Sequence, residues 1–213
     1  MRIYLMRHGE SEANVAGVIS DDPDKAYRLT PMGIAQAEVA AEELMDVPFT
    51  HIYVSEHQRT LETAQVLVGR WLNAAEEKAA KERKNKKGED EAAMQAKATT
   101  PAPDRYPIST DARLNERHSG MDGQPVSAFN NLVKPDPVHI KPEGGESFLE
   151  QMDRLRDFMD AVAVRHVDGT VLAVSHENPI LAAQAVAGRS IEDAAWGDVA
   201  NCAWVALEWP KQN

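Results

Sequence analysis

The chain has 213 residues, 43% of them hydrophobic and 27% charged, a globular composition with length enough to bury a core in one domain of ordinary size. A formal net charge of −11 sets up a field that repels nucleic acid and anionic lipid, so neither is expected as a partner, and an anionic small molecule would need a local cluster of positive groups to draw it in. The single cysteine, Cys202, excludes an internal disulfide, fits a reducing compartment and reads as a small buried strand residue.

At the N-terminus, MRIYLMRHGE reaches charged residues too soon for a signal peptide, and no run approaches bilayer length, so a cytoplasmic protein is expected. Ile3 to Met6 has the length of a buried strand and leads into Arg7-His8-Gly9, after which Glu10 to Ala16 begins a helix. A better-marked helix opens at Thr30 as N-cap and Pro31 at the first helical position, with Ile34, Ala37, Ala41, Leu44 and Met45 at helical spacing until Pro48. His51 to Ser55 predicts a second strand and the residues to about Leu72 its following helix. Residues 73–103 are rich in Ala, Lys and Glu and read as a charged helix extension or a mobile insertion; a basic patch of Lys84, Lys86 and Lys87 is the rival reading, but Glu89, Asp90 and Glu91 largely cancel it.

Ile108 to Thr110 is a weak third strand, and Gly120 to Pro142 reads as loop, turn-rich from Pro135 to Gly145. Phe148 to Val164 is amphipathic, with Leu149, Met152, Leu155, Phe158, Met159 and Val162 on one face. TVLAVS at 170–175 is a strongly apolar strand, Pro179 to Ala187 a helix, and Cys202 to Trp209 a last strand. Trp71, Trp196, Trp204 and Trp209 read as core or interface aromatics. Alternating strands and helices imply an α/β fold, a mostly parallel central sheet flanked by helices as a three-layer sandwich.

In such a sheet ligands bind at the carboxyl ends of strands, where loops turn into helices. Arg7 and His8 lie at that end of the first strand, Arg59 just past the second, Glu116 and Arg117 after the third, and His176 directly after TVLAVS. This inventory suits phosphoryl chemistry, which needs fixed cations and donors around three charged oxygens. Arginine offers a fork matched to phosphate, neutral imidazole is a nucleophile near pH 7, and a second imidazole held protonated by the phosphate adds charge stabilisation. A carboxylic acid, for which Glu116 is the candidate, protonates the leaving oxygen. The scheme calls for no metal and no cofactor, and His51, His57, His118, His139 and His166 show no metal-ligand spacing.

The block LMRHGESEAN resembles the signature of the histidine phosphatase superfamily, which includes the phosphoglycerate mutases. SEHQRTLETA at 55–64, LNERHSG at 114–120, PEGGES at 142–147 and VSHENPI at 174–180 follow in the family's order and span the chain apart from the insertion. The resemblance implies a phosphoglycerate mutase-like fold in a single domain over 1–213, a phosphorylated His8, Arg7 and Arg59 as phosphate ligands, His176 as second histidine and Glu116 as acid. It places Asn14 and Asn178 near the phosphate. Glu177 stands where many members have glycine, so its carboxylate would repel a second phosphate or select a cationic or hydroxyl-bearing substrate. His118, two residues past Glu116, is expected to line the pocket.

The expected activity is a phosphomonoester hydrolase acting on a small phosphorylated metabolite, the partner being a small-molecule phosphate ester. A phosphoglycerate mutase-type phosphotransferase and a non-catalytic phosphate-binding protein are the alternatives. The loop 120–142 lacks the basic, tyrosine- and proline-rich stretch associated with mutases, and little chain follows the last strand. The family is often dimeric, which leaves a homodimer open.

Overall fold

The computed structural model describes residues 1–85 and 105–210, the side chains of 83–85 excepted. Five strands, β1 (Arg2–Arg7), β2 (His51–Val54), β3 (Ile108–Thr110), β4 (Thr170–Ser175) and β5 (Trp204–Glu208), form one sheet in the order β3-β2-β4-β1-β5. All neighbours run parallel except β5, which pairs antiparallel with β1 at the edge.

The sheet is buried on both faces because its two central strands carry continuous apolar runs, Ile3 to Met6 in β1 and Val171 to Val174 in β4. Ile3 and Leu5 of β1 join Val171 and Ala173 of β4 in one core, against α5 (Phe148–Arg165) and α6 (Glu177–Val186). Tyr4, Met6, Leu172 and Val174 point the other way, against α2 (Pro31–Glu43) and α3 (Gln58–Asn85). The result is the expected three-layer α/β sandwich.

This wiring creates the site. The chain leaves β1 toward α2 on one face and leaves β4 toward α6 on the other, so a crevice opens between the carboxyl ends of two adjacent strands. Register pairs Arg7 with Ser175, which sets the next residues, His8 and His176, side by side.

Local chemistry fixes the helices. Thr30 Oγ1 accepts from the Gly33 N–H at 3.1 Å with Pro31 first in α2, and Ser147 and Glu150 form a capping box at the start of α5. Two glycine contacts bring loops onto the site. A Cβ on Gly33 would lie 2.1 Å from the Glu10 carbonyl oxygen, and one on Gly9 would lie 2.4 Å from that of Gly33, so α2 presses directly on the His8 loop. In the PEGGES block, a Cβ on Gly145 would lie 2.5 Å from the His118 carbonyl oxygen.

Several expectations are corrected. Ile34 and Met45 are 43% and 37% exposed; the inner face of α2 is alanine with Leu44 beyond it, which lets the helix sit close to the sheet. The α3 helix does not end near Leu72 but continues to Asn85, so the first part of the charged stretch is a helix extension; residues 86–104, which include Lys86, Lys87 and the acidic run, lie outside the described residues. Cys202 is buried in a turn at φ 59°, not in a strand, and its N–H reaches the carbonyls of Arg7 and His8 at 3.1 and 3.3 Å. The segment read as loop contains α4 (Val126–Val133), and α7 (Ile191–Ala195) lies before the last strand; α1 (Glu12–Ala16) is a single short turn capped by Ser11. Trp196 is 59% exposed and belongs to no core. Among the described residues, no helix is long and apolar enough to cross a membrane.

Candidate active site

His8 is buried and its ring is fixed at both nitrogens. Nδ1 lies 2.7 Å from its neighbour Gly9's carbonyl oxygen, an acceptor only, so Nδ1 carries the proton. Nε2 is left with its lone pair, which accepts from Arg59 Nε at 3.0 Å. Burial first, then the charge of Arg59, holds the His8 pKa well below its usual value, so the imidazole is neutral throughout the physiological range.

His176 caps α6 at the matching place on β4 and is fully buried. Its ring centroid is 5.1 Å from that of His8. Arg59 Nη2 donates to its Nδ1 at 3.0 Å, so Nε2 carries the proton and donates to Ser55 Oγ at 2.9 Å. Ser55 in turn bonds Thr60 Oγ1 at 2.9 Å, and Thr60 donates to the His57 carbonyl at 2.7 Å. Burial and Arg59 push this histidine's pKa well below normal as well, which favours the neutral ring.

Arg59 therefore joins the two imidazoles. It is 3% exposed, with its remaining donors on Ser20: Nη1 on Oγ at 3.0 Å and Nη2 on the carbonyl oxygen at 2.8 Å. The surface pairing with Glu56 or Glu62 open to a helix arginine does not form. Burial pulls its pKa down to about 10, leaving it cationic at neutral pH. Thr63, one turn along α3, donates to the Arg59 carbonyl at 2.7 Å and accepts from the Gly9 N–H at 3.1 Å, tying the helix to the histidine loop.

Arg7 turns one edge of its guanidinium to Glu177, Nη1 to Oε2 at 2.9 Å; its buried Nε has no protein partner. The other Glu177 oxygen accepts from the Val199 N–H at 3.3 Å. Glu116 Oε1 accepts from the Arg117 N–H at 2.8 Å and from Asn178 Nδ2 at 3.3 Å. Burial raises its pKa, opposed by the Arg117 N–H and by Arg59 and Arg7. Asn14 lines the cavity while its Oδ1 serves the cap of α1, accepting from Ser11 at 3.0 Å.

These groups stand in and beneath a cavity of about 590 Å³ whose wall includes Arg7, His8, Asn14, Arg59, Glu116, Glu177 and Asn178. His176 is fully buried next to it, bonded to the lining residue Arg59. His118 does not line it. Its N–H donates to Glu146 Oε1 at 3.1 Å and its carbonyl is packed against Gly145, so the backbone faces inward and the imidazole is exposed. Sequence reasoning missed Ser20, Thr63 and the far wall, built by Val126, Phe129 and Asn130 of α4 and by Trp196. Hydroxyls and short helices in loops carry no local signal of this kind. Among the described residues no group of three His, Cys, Asp or Glu side chains is placed to hold a metal ion.

A buried imidazole lies outside this network. His57 is 1% exposed, its ring stands 4.6 Å from that of His176, and neither ring nitrogen has a hydrogen-bond partner. Burial, with Arg59 next, lowers its pKa to about 3.

The histidine phosphatase superfamily (branch 1) model matches residues 3–106 and 91–213. The chain is 42% identical over 185 residues to the "Probable phosphoglycerate mutase GpmB" of Proteus mirabilis, covering 83% of this chain and 69% of that protein. It is 28% identical over 168 residues to the "Probable fructose-2,6-bisphosphatase TIGAR A" of Danio rerio, covering 76% of this chain but only about half, 54%, of the relative. Among solved structures, YhfR of Bacillus stearothermophilus superposes with a TM-score of 0.73 at 22% identity, over 97% of this chain and 90% of that one. The chain belongs to the histidine phosphatase superfamily.

Proposed function

We propose that the protein is a phosphomonoester hydrolase for a small phosphorylated metabolite, working through a phosphohistidine at His8. The observation that carries this reading is the fixed tautomer of His8, whose lone pair on Nε2 faces Arg59 and lies beside His176. The guanidinium of Arg59 uses both imidazoles as acceptors. An arriving phosphoryl group replaces them with its own oxygens, and the unpartnered Nε of Arg7 supplies a further donor. Each such charge-assisted bond contributes about 1.5–3 kcal/mol.

His8 Nε2 then attacks phosphorus as the P–O bond to the alcohol breaks. His176, turned from neutral to protonated by the anion beside it, stabilises the equatorial oxygens. Glu116 supplies the proton for the leaving oxygen. Both hydrogen-bond donors to its carboxyl converge on Oε1, so Oε2 carries the proton, and burial favours that neutral form. In the second half-reaction Glu116, now a carboxylate, takes a proton from water as the water oxygen attacks phosphorus and the P–Nε2 bond breaks, releasing phosphate and returning His8 to its neutral form.

Hydrolysis is favoured over mutase action because the far wall offers one exposed lysine, Lys134, where a mutase must also hold the second charged end of its substrate. A binding protein has no use for an oriented nucleophile. The test is release of phosphate from p-nitrophenyl phosphate by purified enzyme without added metal. His8→Ala is expected to lower kcat by about 10⁴-fold or more. Full activity in that variant would overturn the reading, and interconversion of 3- and 2-phosphoglycerate dependent on bisphosphate priming would replace hydrolysis by the mutase alternative.

A further inference from the structure

The charges around the cavity narrow the substrate beyond its phosphate. Among the described residues, four cations line it: Arg7, Arg59, Arg117 and Lys134. Arg59 and the free edge of Arg7 are matched to one phosphoryl group. Arg117 is 4% exposed, donates to the carbonyls of Glu146 and Ile140 at 3.2 Å each, and lies over the Phe129 ring at 5.1 Å, so its guanidinium is committed to the wall. Lys134 alone is exposed at the rim and, among the described residues, forms no ion pair.

The acids oppose a second anion. Glu177 and Asp198 both line the cavity beside Glu116. Glu177 is not a mobile side chain: one oxygen is pinned by Arg7 and the other by the Val199 N–H. It holds Arg7 in place and keeps a negative charge at the junction between the phosphoryl pocket and the outer cavity. The remaining outer wall is apolar and amide, with Ile19, Val126, Trp196, Asn130 and Asn131. A second carboxylate or phosphate on the substrate would enter beside fixed like charges, in a cleft where water screens them less than in bulk.

We infer that the site selects phosphate monoesters whose alcohol portion carries no negative charge, and that Glu177 is the residue that enforces the selection. This rests on the phosphate-ester reading above, and it decides between the two roles open to Glu177 from sequence: its oxygens are both occupied within the protein, so it excludes an anion instead of capturing a cation.

The test uses glycerol 3-phosphate and 3-phosphoglycerate, equal in length and differing only in a hydroxymethyl against a carboxylate. Dissociation constants are measured by calorimetry on the intact enzyme, and kcat/KM by phosphate release. Wild type is expected to bind glycerol 3-phosphate about tenfold or more tightly, and Glu177→Gln, which preserves the hydrogen-bonding shape, to narrow that ratio to about threefold or less by improving 3-phosphoglycerate. Asp198→Asn, at the rim, should shift the ratio in the same direction by less, and it keeps the comparison available if Glu177→Gln does not fold. A wild-type preference for 3-phosphoglycerate, or a ratio unmoved by both variants, overturns the inference. Because binding is read directly, selection without turnover of any ester would sink the hydrolase reading and leave the charge selection standing.

Discussion

Burial is the first cause of two opposite pKa shifts: it raises that of Glu116, favouring the acid form, and lowers that of His8, favouring the neutral base. That pairing gives the rate a definite dependence on the leaving group. An alkoxide must be protonated as it departs, whereas p-nitrophenolate leaves without help. Glu116→Gln is therefore expected to lower kcat for an alkyl phosphate by about 10²–10⁴-fold and for p-nitrophenyl phosphate by far less. In wild type the alkaline limb of the alkyl-phosphate profile follows loss of the Glu116 proton and lies above the ordinary carboxylate range. The acid limb follows protonation of His8 and lies below the ordinary histidine range. The alkaline limb should vanish in Glu116→Gln, and equal losses on both substrates would remove Glu116 from the proton-donor role. At this scale the sequence was legible wherever a side chain sits at a strand end: His8, Arg59, Glu116 and His176 meet as their positions implied. His118 was not, because its direction is set by Glu146 and Gly145, about 28 residues away in the chain.

At the scale of elements, a strand with a continuous apolar run and a helix with a clear amphipathic face were read nearly to the residue, as with β4 and α5. The misses have physical causes. The α4 segment, VSAFNNLV, is eight residues long between prolines, and local sequence gives so short a helix little support; its face is decided by the cavity it walls. The outward exposure of Ile34 follows from the alanine face of α2, which needs small residues because the helix meets the His8 loop glycine to glycine. That contact is testable. Gly33→Ala puts a methyl 2.1 Å from the Glu10 carbonyl oxygen, so helix and loop must separate. Stability should fall by about 1–3 kcal/mol in denaturant unfolding, and kcat should fall with it because His8 rides on the displaced loop. Full stability and full kcat together would show that the close approach does not position the nucleophile.

Across the whole molecule, the price of neutral imidazoles is sensitivity to acid. His8, His57 and His176 all have folded pKa values below those of the unfolded chain, about 3 for His57. As pH falls below about 6.5 the unfolded state takes up protons that the folded state refuses, so stability is lost from there down to the folded pKa values. Each histidine contributes a slope on the order of 1 kcal/mol per pH unit, and the three add. Denaturant titrations at pH 7.5, 6.5 and 5.5 in phosphate-free buffer should show a steep decline below 6.5, which added inorganic phosphate reduces by favouring a protonated His176. A flat profile would contradict the buried, neutral state of these rings. The net charge of −11 acts at the same scale, since a site that draws one phosphate inside an acidic molecule must do so through a few guanidinium groups.

The direct test of the account is to catch the phosphoryl group on the protein. Enzyme mixed with a phosphate ester, quenched in alkali within a turnover and digested for mass spectrometry, should carry one phosphoryl group on a peptide containing His8, with none in His8→Ala. Hydrolysis proceeding at full rate with no phosphohistidine at His8, or with the label on another residue, would contradict it.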